Sequence, residues 1–442
     1  MRADVVVVGA GPAGLATAVR LAEAGRQVRV IARGNGFTHW GAGAVDALGW
    51  LGGERVERPL EALGRLPEDH PYRLAGEAAL RDGLDWFARF AAAAGLAHAG
   101  DPERNRDQVT ALGVLRPTCL LPEPAAQPIP EGSGEPRGPG GSGGPQGGPP
   151  MGQVPVGRGR VAVVNFEGFR DFSPALCAAG LRGAGVDAVP ASAPLPPWDH
   201  ARYFTAIELA RAIDDDDFRR RLAPGLARAA AGADMVVVPA VLGLRGGHAP
   251  WADLQRLVGA PLVEAATVPP SIPGLRLFAA YRRRLDALGV GWQFGFPALG
   301  VERDGDRVTA VRSEGASRVV VTHCQELVLA TGGVAGHGIE ANRDGTLTEV
   351  VAGLPVEGFT DRTAFLGDRF LGEHPLGAAG VRVDAELRPL AASGGPVHAN
   401  VRCVGGLLAG HDPTVEGSRE GVALATATRT AELLAPAPTP VS

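Results

Sequence analysis

The chain has 442 residues and a formal net charge of −5, from 48 acidic and 43 basic residues. This length allows two or three domains with a large core, and the absence of a dense basic run argues against a nucleic-acid-binding protein. No uncharged apolar stretch reaches the roughly 20 residues that a membrane-spanning helix requires.

The four cysteines are isolated from one another: Cys119, Cys177, Cys324 and Cys403. No pair has the spacing of a zinc or iron–sulfur site, and nothing predicts a disulfide framework. We therefore expect no metal site in this chain and a reducing compartment. Any iron–sulfur chemistry connected with this protein is expected on another polypeptide.

The N-terminus predicts a nucleotide-binding unit. An unbroken β-branched run at 5–8 is typical of a buried parallel strand, and the glycines that follow are Gly9, Gly11 and Gly14. A helix and a second strand at 28–31 complete the unit. The first glycine allows the tight turn, the second lets a pyrophosphate approach the backbone, and the third lets helix and strand pack closely. The helix N-terminus then offers N–H groups to phosphate.

One position departs from this pattern. A dinucleotide site normally has Asp or Glu at the end of the second strand, where it binds the adenosine ribose. Here that position is Ala32, followed by Arg33. Three interpretations are open: the adenosine is held differently, it carries an extra phosphate near Arg33, or it is absent, which would mean a mononucleotide flavin.

The loop at 34–44 is the next candidate cofactor contact. Gly41 and Gly43 would allow the backbone to approach a flat ligand such as a flavin ring. His39 lies in the same loop. It is either a donor to substrate or flavin or a partly buried loop histidine, and the sequence favours neither.

The middle of the chain is mostly helical at 45–116, and residues 122–157 are dominated by proline and glycine. Such a stretch cannot bury enough apolar area to offset its ordering entropy, so we predict a disordered insertion. Strands are predicted at 160–165 and 235–239. No second glycine-rich strand–turn–helix unit appears here, which argues against a pyridine-nucleotide disulfide reductase.

A stiff proline-rich loop at 269–274 precedes a helix at 275–288 that carries four arginines. Arginine suits bidentate recognition of phosphate or carboxylate. Arg276 follows the loop directly, so it is the candidate for binding a substrate anion.

Two later elements resemble the N-terminal one. A hairpin is predicted around 304–306, and the next strand ends in Thr331, Gly332 and Gly333, a second recurrent element of two-dinucleotide-fold flavoproteins. The third element runs from a strand at 401–404 through the turn residues Gly410, Asp412 and Gly417 to a helix at 418–434, whose N-terminus can face the flavin or its phosphate.

These elements predict an α/β, Rossmann-like two-dinucleotide-binding flavoprotein fold with a second, mixed α+β substrate or cap domain. The expected flavin-binding domain is discontinuous, at 1–48, 300–345 and 398–435. The cap region is expected at 49–299 and 346–397.

The chain resembles the B subunit of the anaerobic glycerol-3-phosphate dehydrogenase, within the wider fumarate-reductase-like flavoproteins. The resemblance covers most of the chain outside the proline- and glycine-rich insertion. It is carried by 31–34 with 39–43, by 169–172, by 239–244, by 269–277, and by Gly410-His411-Asp412-Pro413.

The resemblance implies a flavoprotein described for the family as carrying FMN, with FAD as the alternative cofactor. It implies an FAD-containing catalytic subunit and an iron–sulfur membrane-anchor subunit as partners at the cytoplasmic side of the membrane. The implied reaction oxidises glycerol 3-phosphate to dihydroxyacetone phosphate and passes electrons to quinone. Under this hypothesis Arg276 would hold phosphate and His39 would assist proton removal. The alternatives are a non-catalytic flavin-binding or structural partner and a free-standing FAD-dependent oxidoreductase of another small alcohol or acid.

Overall fold

The structure is a computed structural model, and it describes residues 1–130, 159–196, 203–357, 362–370 and 372–436. The strands are β1 (Arg2–Val8), β2 (Val28–Ala32), β3 (Trp50–Leu51), β4 (Glu54–Arg55), β5 (His98–Gly100), β6 (Arg106–Val109), β7 (Leu115–Thr118), β8 (Leu120–Pro122), β9 (Arg160–Phe166), β10 (Asp187–Ala193), β11 (Met235–Pro239), β12 (Leu262–Ala265), β13 (Gly291–Phe294), β14 (Ala298–Asp304), β15 (Arg307–Ser313), β16 (Val320–Leu329), β17 (Ile339–Ala341), β18 (Leu347–Glu349) and β19 (Val401–Cys403). The helices are α1 (Pro12–Glu23), α2 (Pro59–Ala62), α3 (Pro71–Ala75), α4 (Glu77–Ala93), α5 (Pro174–Gly183), α6 (Ala206–Ile213), α7 (Asp216–Ala229), α8 (Ala249–Val258), α9 (Ile272–Ala287) and α10 (Arg419–Leu434).

A seven-stranded sheet forms the first core. Its order is β13–β2–β1–β16–β15–β14, and β19 pairs with β16. β13, β2, β1, β16 and β19 run parallel, while β14 and β15 form an antiparallel hairpin beside β16. Val5 to Val8 are buried because β1 lies in the middle of the parallel part. α1 and α10 pack against each other, and α4 packs against α10.

This arrangement confirms the predicted flavoprotein fold class. The strand–turn–helix–strand unit at the N-terminus, the strand that ends at Leu329 and the final strand and helix all occur where the sequence placed them. The hairpin predicted around 304–306 joins β14 to β15. One difference concerns β13, which lies in the region expected to belong to the cap but pairs with β2 along the edge of the first sheet.

A second parallel sheet forms a separate core. Its order is β10–β9–β11–β12, and it carries its own cluster of buried apolar residues from β6, from β9 to β12 and from the helices between them. The sequence located two of its strands, in a region expected to be mixed α+β, but it did not predict that four strands would form a doubly wound unit. The antiparallel part of the region consists of short two-stranded ladders.

Most of the predicted insertion at 122–157 lies outside the described residues. Its first part is ordered: Pro122 ends β8, and Glu123–Ala125 forms one 3-10 turn. Among the described helices, none is both long and apolar enough to cross a bilayer. Within the same residues, no group of three His, Cys, Asp or Glu side chains is arranged to hold a metal ion.

Candidate functional site

The first glycine turn can be built only from glycine at two of its three positions. Gly9 has φ of +118°, and a Cβ atom there would lie 2.2 Å from the carbonyl oxygen of Ala330. A Cβ atom on Gly14 would lie 2.2 Å from the carbonyl oxygen of Gly9. The turn, the start of α1 and the end of β16 are therefore in backbone contact.

Gly11 differs from Gly9 and Gly14 because it faces open space. The atom nearest to a Cβ placed there is the Phe37 amide nitrogen, at 4.0 Å. α1 begins with Pro12. The N–H groups of its first turn have no intrahelical acceptor, and no side chain caps them. This combination of a free approach and unpaired donors fits the phosphate of a flavin nucleotide.

The second and third glycine-rich elements reach the same region. A Cβ atom on Gly333 would lie 2.7 Å from the carbonyl oxygen of Gly406, and one on Gly405 would lie 2.6 Å from the Cβ of Ala13 at the start of α1. Gly332 has φ of +79°. The hydroxyl of Thr331 is buried without a hydrogen-bond partner among the described residues. The three elements thus converge, while the cofactor contacts expected of Thr331, Gly332 and Gly333 stay predictions.

The loop after β2 is held by the start of α9. Ser271 donates a hydrogen bond to the carbonyl oxygen of Gly41 at 2.6 Å. A Cβ on Gly274 would lie 2.6 Å from the carbonyl oxygens of both Gly41 and Thr38. Gly43 has φ of +75° and faces Pro273. The proline-rich loop that the sequence marked as distinctive therefore supports Gly41 and Gly43 from the protein side.

His39 ends a 3-10 turn in this loop and is partly buried. Its Nδ1 lies 3.1 Å from the Asn35 side-chain nitrogen, and its ring meets Trp40 and Phe278 edge-on. Partial burial lowers the pKa of His39. The role in proton removal expected for His39 stays a prediction.

The end of β2 provides no carboxylate. Ala32 is buried, its carbonyl oxygen accepts the N–H of Gly295, and it stands in register with Phe294 of β13. Arg33 is exposed. The residues present therefore fit the phosphate end of a flavin nucleotide but lack the usual acidic partner for an adenosine ribose.

Arg276 is already paired inside the protein. It is 3% exposed, and its guanidinium donates to both Glu264 oxygens, at 2.9 and 3.0 Å, and to the Gly243 carbonyl oxygen at 2.7 Å. Glu264 also accepts the N–H of Leu242 at 2.7 Å. Since this set satisfies the charge internally, the geometry favours a structural role, and the phosphate-binding role expected for Arg276 stays a prediction.

The third turn uses its polar residues locally. The Asp412 carboxylate accepts the N–H groups of Thr414 and Val415 at 2.9 and 3.1 Å. Gly410 has φ of +85° and approaches Asp69, and Gly417 has φ of +60° and approaches Gly49. These contacts place the turn against the segments before α3 and β3, and cofactor binding by Gly410, Asp412 and Gly417 stays a prediction.

Beside this turn lies a buried histidine–carboxylate hydrogen bond that sequence reasoning missed. His70 is 1% exposed, and its Nε2 lies 3.2 Å from Glu416. Its Nδ1 accepts the N–H of Tyr72 at 3.1 Å, so the proton must be on Nε2, which donates to Glu416. Ser418 donates a second hydrogen bond to the carboxylate at 2.8 Å. Burial opposes ionisation, but the hydrogen bonds from His70 and from the Ser418 hydroxyl hold the pKa of Glu416 below its usual value.

His411 lies next to this pair. It is 3% exposed, its ring is 5.9 Å from that of His70, and neither ring nitrogen meets a hydrogen-bond partner among the described residues. Burial lowers the pKa of His411 to about 4, while Glu416 acts in the opposite direction. His411 is therefore an uncharged imidazole at neutral pH.

A second acidic group borders α10. Asp46 is buried, pairs with Arg116 at 2.8 Å and accepts the Thr118 hydroxyl at 3.0 Å. Burial raises the pKa of Asp46. Burial and the Asp46 charge raise the pKa of Glu420, in the first turn of α10, to about 7. Glu420 lines a cavity of about 20 Å³ that Pro12 at the start of α1 also borders.

Only His411, among the buried polar residues near α10, lies in a stretch that the sequence marked as distinctive. The stretch Gly410-His411-Asp412-Pro413 stood out, although no role was assigned to His411. His70, Asp46 and Glu416 carried no local pattern, since each depends on residues far away in the chain.

The chain is similar over most of its length to known proteins. A family model described as FAD binding domain matches residues 4–422. The B subunit of the anaerobic glycerol-3-phosphate dehydrogenase of Yersinia pestis bv. Antiqua is 33% identical over 442 residues, which cover 98% of each chain. A probable B subunit of the same enzyme from Halobacterium salinarum is 30% identical over 444 residues, which cover 96% of each chain. Among solved structures, a 3-ketosteroid delta1-dehydrogenase from Sterolibacterium denitrificans is 11% identical over 98% of this chain and 99% of that chain, with a TM-score of 0.43.

Proposed function

This chain belongs to the family of B subunits of the anaerobic glycerol-3-phosphate dehydrogenase, and we propose that it acts as a flavin-binding subunit in the oxidation of glycerol 3-phosphate to dihydroxyacetone phosphate. The observation that carries this proposal is the similarity to the Yersinia protein, which extends over 98% of both chains. The convergence of the three glycine-rich elements on the start of α1 supports the flavin-binding half of the proposal.

The open approach to Gly11 and the free N–H groups of α1 would hold the flavin phosphate. FAD is the proposed cofactor, because the matching family model is an FAD binding domain. FMN, the mononucleotide expected from the family resemblance, has no support from that match. Because Ala32 provides no carboxylate for an adenosine ribose, identifying the bound flavin tests FMN against FAD.

A bound flavin would supply the two-electron acceptor for the hydride that leaves the alcohol carbon. The residues of this chain would position the alcohol and take its proton. We assign proton acceptance to His411, because its imidazole is unpaired among the described residues and because the nearby Glu416 carboxylate favours its protonated form. The neighbouring Glu416 carboxylate would stabilise the imidazolium that forms.

The proposed assembly follows from the relatives' names, which describe one subunit of a larger enzyme. We propose that the partners are an FAD-containing catalytic subunit and an iron–sulfur subunit. Under this proposal the iron–sulfur subunit holds the complex at the cytoplasmic side of the membrane and passes electrons towards quinone.

A second candidate function is a non-catalytic flavin-binding partner of the catalytic subunit. The pairing of Arg276 with Glu264 favours it, since the arginine expected to hold substrate phosphate is satisfied by a protein carboxylate. In that case the flavin would bind here while glycerol 3-phosphate binds another subunit.

Purification of the full-length chain, alone and with its partner subunits, separates these candidates. Released flavin is identified by mass spectrometry, and glycerol 3-phosphate oxidation is followed with an artificial electron acceptor. Bound flavin with activity that is lost in a His411→Asn complex supports catalysis at this site. Bound flavin with a fully active His411→Asn complex supports the non-catalytic candidate. A folded chain that takes up no flavin contradicts both.

A further inference from the structure

The carboxyl edge of β2 and β13 carries an exposed aromatic ring beside the position where a dinucleotide site has its ribose carboxylate. Ala32 and Phe294 end these two parallel strands and are in register with each other. Phe294 is 39% exposed, although it belongs to a row of packed aromatic side chains. An exposed ring at this edge requires an explanation, because it lies beside the strand end that normally faces adenosine.

The ring is held in place from one side. Its centroid lies 6.2 Å from that of Phe278 on α9 and 6.5 Å from that of Trp292, two residues earlier on the same face of β13. The indole N–H of Trp292 is buried without a hydrogen-bond partner among the described residues. The edge therefore presents a fixed aromatic surface next to an unsatisfied donor.

The charge at this edge suits a nucleotide. Arg33 is exposed and forms no ion pair within the part of the chain that the structure describes. Phe37 offers a less suitable surface, because the Arg419 guanidinium already lies over its ring at 3.8 Å from the centroid. Trp40, in the loop after β2, is 51% exposed, but Phe294 is the exposed aromatic residue that stands in register with Ala32 at the end of the sheet.

We propose that Phe294 binds the adenine of FAD by stacking, and so replaces the ribose carboxylate that Ala32 does not provide. In an open parallel sheet the nucleotide lies outside the carboxyl ends of the strands, and its adenosine lies past the end of the second strand. An adenine there lies beside β13. An aromatic side chain binds the flat face of the adenine, so this contact needs no carboxylate to accept a hydrogen bond. The proposal rests on the proposed flavin-binding function, which it deepens by naming the determinant for FAD over FMN.

The test measures the dissociation constants of FAD and FMN for flavin-stripped, full-length protein by titration calorimetry. The variants are Phe294→Ala, Phe294→Tyr and a control, Val319→Ala, which changes an apolar residue of similar exposure (54%) just before β16. We expect Phe294→Ala to weaken FAD binding roughly ten- to hundredfold and to leave FMN binding unchanged. Phe294→Tyr keeps the aromatic ring and should bind FAD as the unaltered chain does. Val319→Ala should change neither the FAD nor the FMN dissociation constant.

Several results would overturn the proposal. Unchanged FAD affinity in Phe294→Ala would show that the ring serves another purpose, such as contact with another polypeptide of the complex. Equal binding of FAD and FMN by the unaltered chain would show that adenosine contributes nothing. Binding of neither flavin would instead remove the proposed function itself. Should Phe294→Ala fail to fold, as judged by near-ultraviolet circular dichroism, Phe294→Leu keeps the apolar volume without the aromatic face and is expected to give the same selective loss of FAD affinity.

Discussion

Glu416 and His70, 346 residues apart in the chain, share a buried hydrogen bond of 3.2 Å that fixes the tautomer of the histidine. The Tyr72 N–H occupies the other ring nitrogen, so His70 can only donate to the carboxylate. This pair joins the segment before α3 to the turn before α10, and it lies against the ring of His411. A carboxylate thus stands next to an imidazole that has no hydrogen-bond partner among the described residues, and its charge favours the protonated form of that imidazole.

The first prediction concerns His411. Replacement by Asn removes the proton acceptor, and we expect the turnover number of the reconstituted complex to fall by about 10²- to 10⁴-fold. Flavin content and the melting temperature should change little. The matched control is His323→Asn, an exposed histidine near the start of β16, which should retain full activity. Full activity in His411→Asn would exclude it as the base.

The second prediction concerns pH and Glu420. Its folded-state pKa is raised to about 7, above the ordinary value of about 4.3, so the folded chain holds this proton more tightly than the unfolded chain. The free energy of unfolding should therefore fall as the pH rises through this window. Glu420→Gln cannot ionise, so it avoids the stability that the unaltered chain loses when Glu420 becomes charged. At pH 8 its free energy of unfolding should exceed that of the unaltered chain by about 1–2 kcal/mol.

Urea denaturation at pH 5 and pH 8 measures this difference. The pKa of Asp46 is also raised, so Asp46 also lowers the free energy of unfolding as the pH rises, and the Glu420→Gln variant keeps this contribution. Glu340→Gln, at an exposed carboxyl, serves as the control and should be neutral at both pH values. A Glu420→Gln variant that is destabilised equally at both pH values would contradict the assignment.

The third prediction separates structural from substrate-binding roles of Arg276. Arg276→Ala strands the Glu264 carboxylate in the core and should cost about 3–5 kcal/mol of unfolding free energy. The double variant Arg276→Met with Glu264→Gln should recover most of this loss, because no buried charge remains. Arg58→Ala, in the exposed pair with Glu61, should cost under about 1 kcal/mol. If the double variant is stable but its KM for glycerol 3-phosphate is strongly raised, Arg276 contacts substrate instead.

The fourth prediction contrasts two glycines of one turn. Gly11 has an extended backbone (φ −78°, ψ −178°) and open space around it, so Gly11→Ala should leave the melting temperature nearly unchanged. It should weaken flavin binding roughly ten- to hundredfold, because the methyl group interferes with charge-assisted hydrogen bonds to phosphate. Gly14→Ala should instead destabilise the fold by about 3 kcal/mol, since its Cβ meets the Gly9 carbonyl oxygen.

Thermal unfolding and flavin titration of both variants provide the measurement. Loss of stability without loss of flavin affinity in Gly11→Ala would place the phosphate elsewhere.

The sequence predicted the parts of the fold that depend on local patterns. The β-branched run of β1, the glycine spacing and the helix that follows are encoded within about thirty residues, so their arrangement could be read directly. The sequence did not reveal that β13 pairs with β2, because a four-residue strand carries no local signal of its partner. It also did not reveal the second parallel sheet, since its strands follow one another without the glycine turn that marked the first.

The candidate site shows the same limit. His411 stood in a distinctive stretch, but its environment depends on His70 and Glu416, which only the folded chain brings together. Arg276 showed the opposite case. Its chemistry suited an anion, and the carboxylate that it meets lies in another element, at Glu264.

The contact between the start of α9 and the loop carbonyls of Thr38 and Gly41 has a practical consequence for dissecting the molecule. The loop that follows the second strand is braced from a point 230 residues further along the chain, where Ile272 packs into the core of the other sheet. Removing that sheet to obtain a minimal nucleotide-binding fragment would therefore remove the core against which Ile272 packs. The start of α9 would then no longer be held in position to contact the loop. Truncated versions of the protein should keep both cores, and exchanges between homologues should move the loop and the start of α9 as one unit.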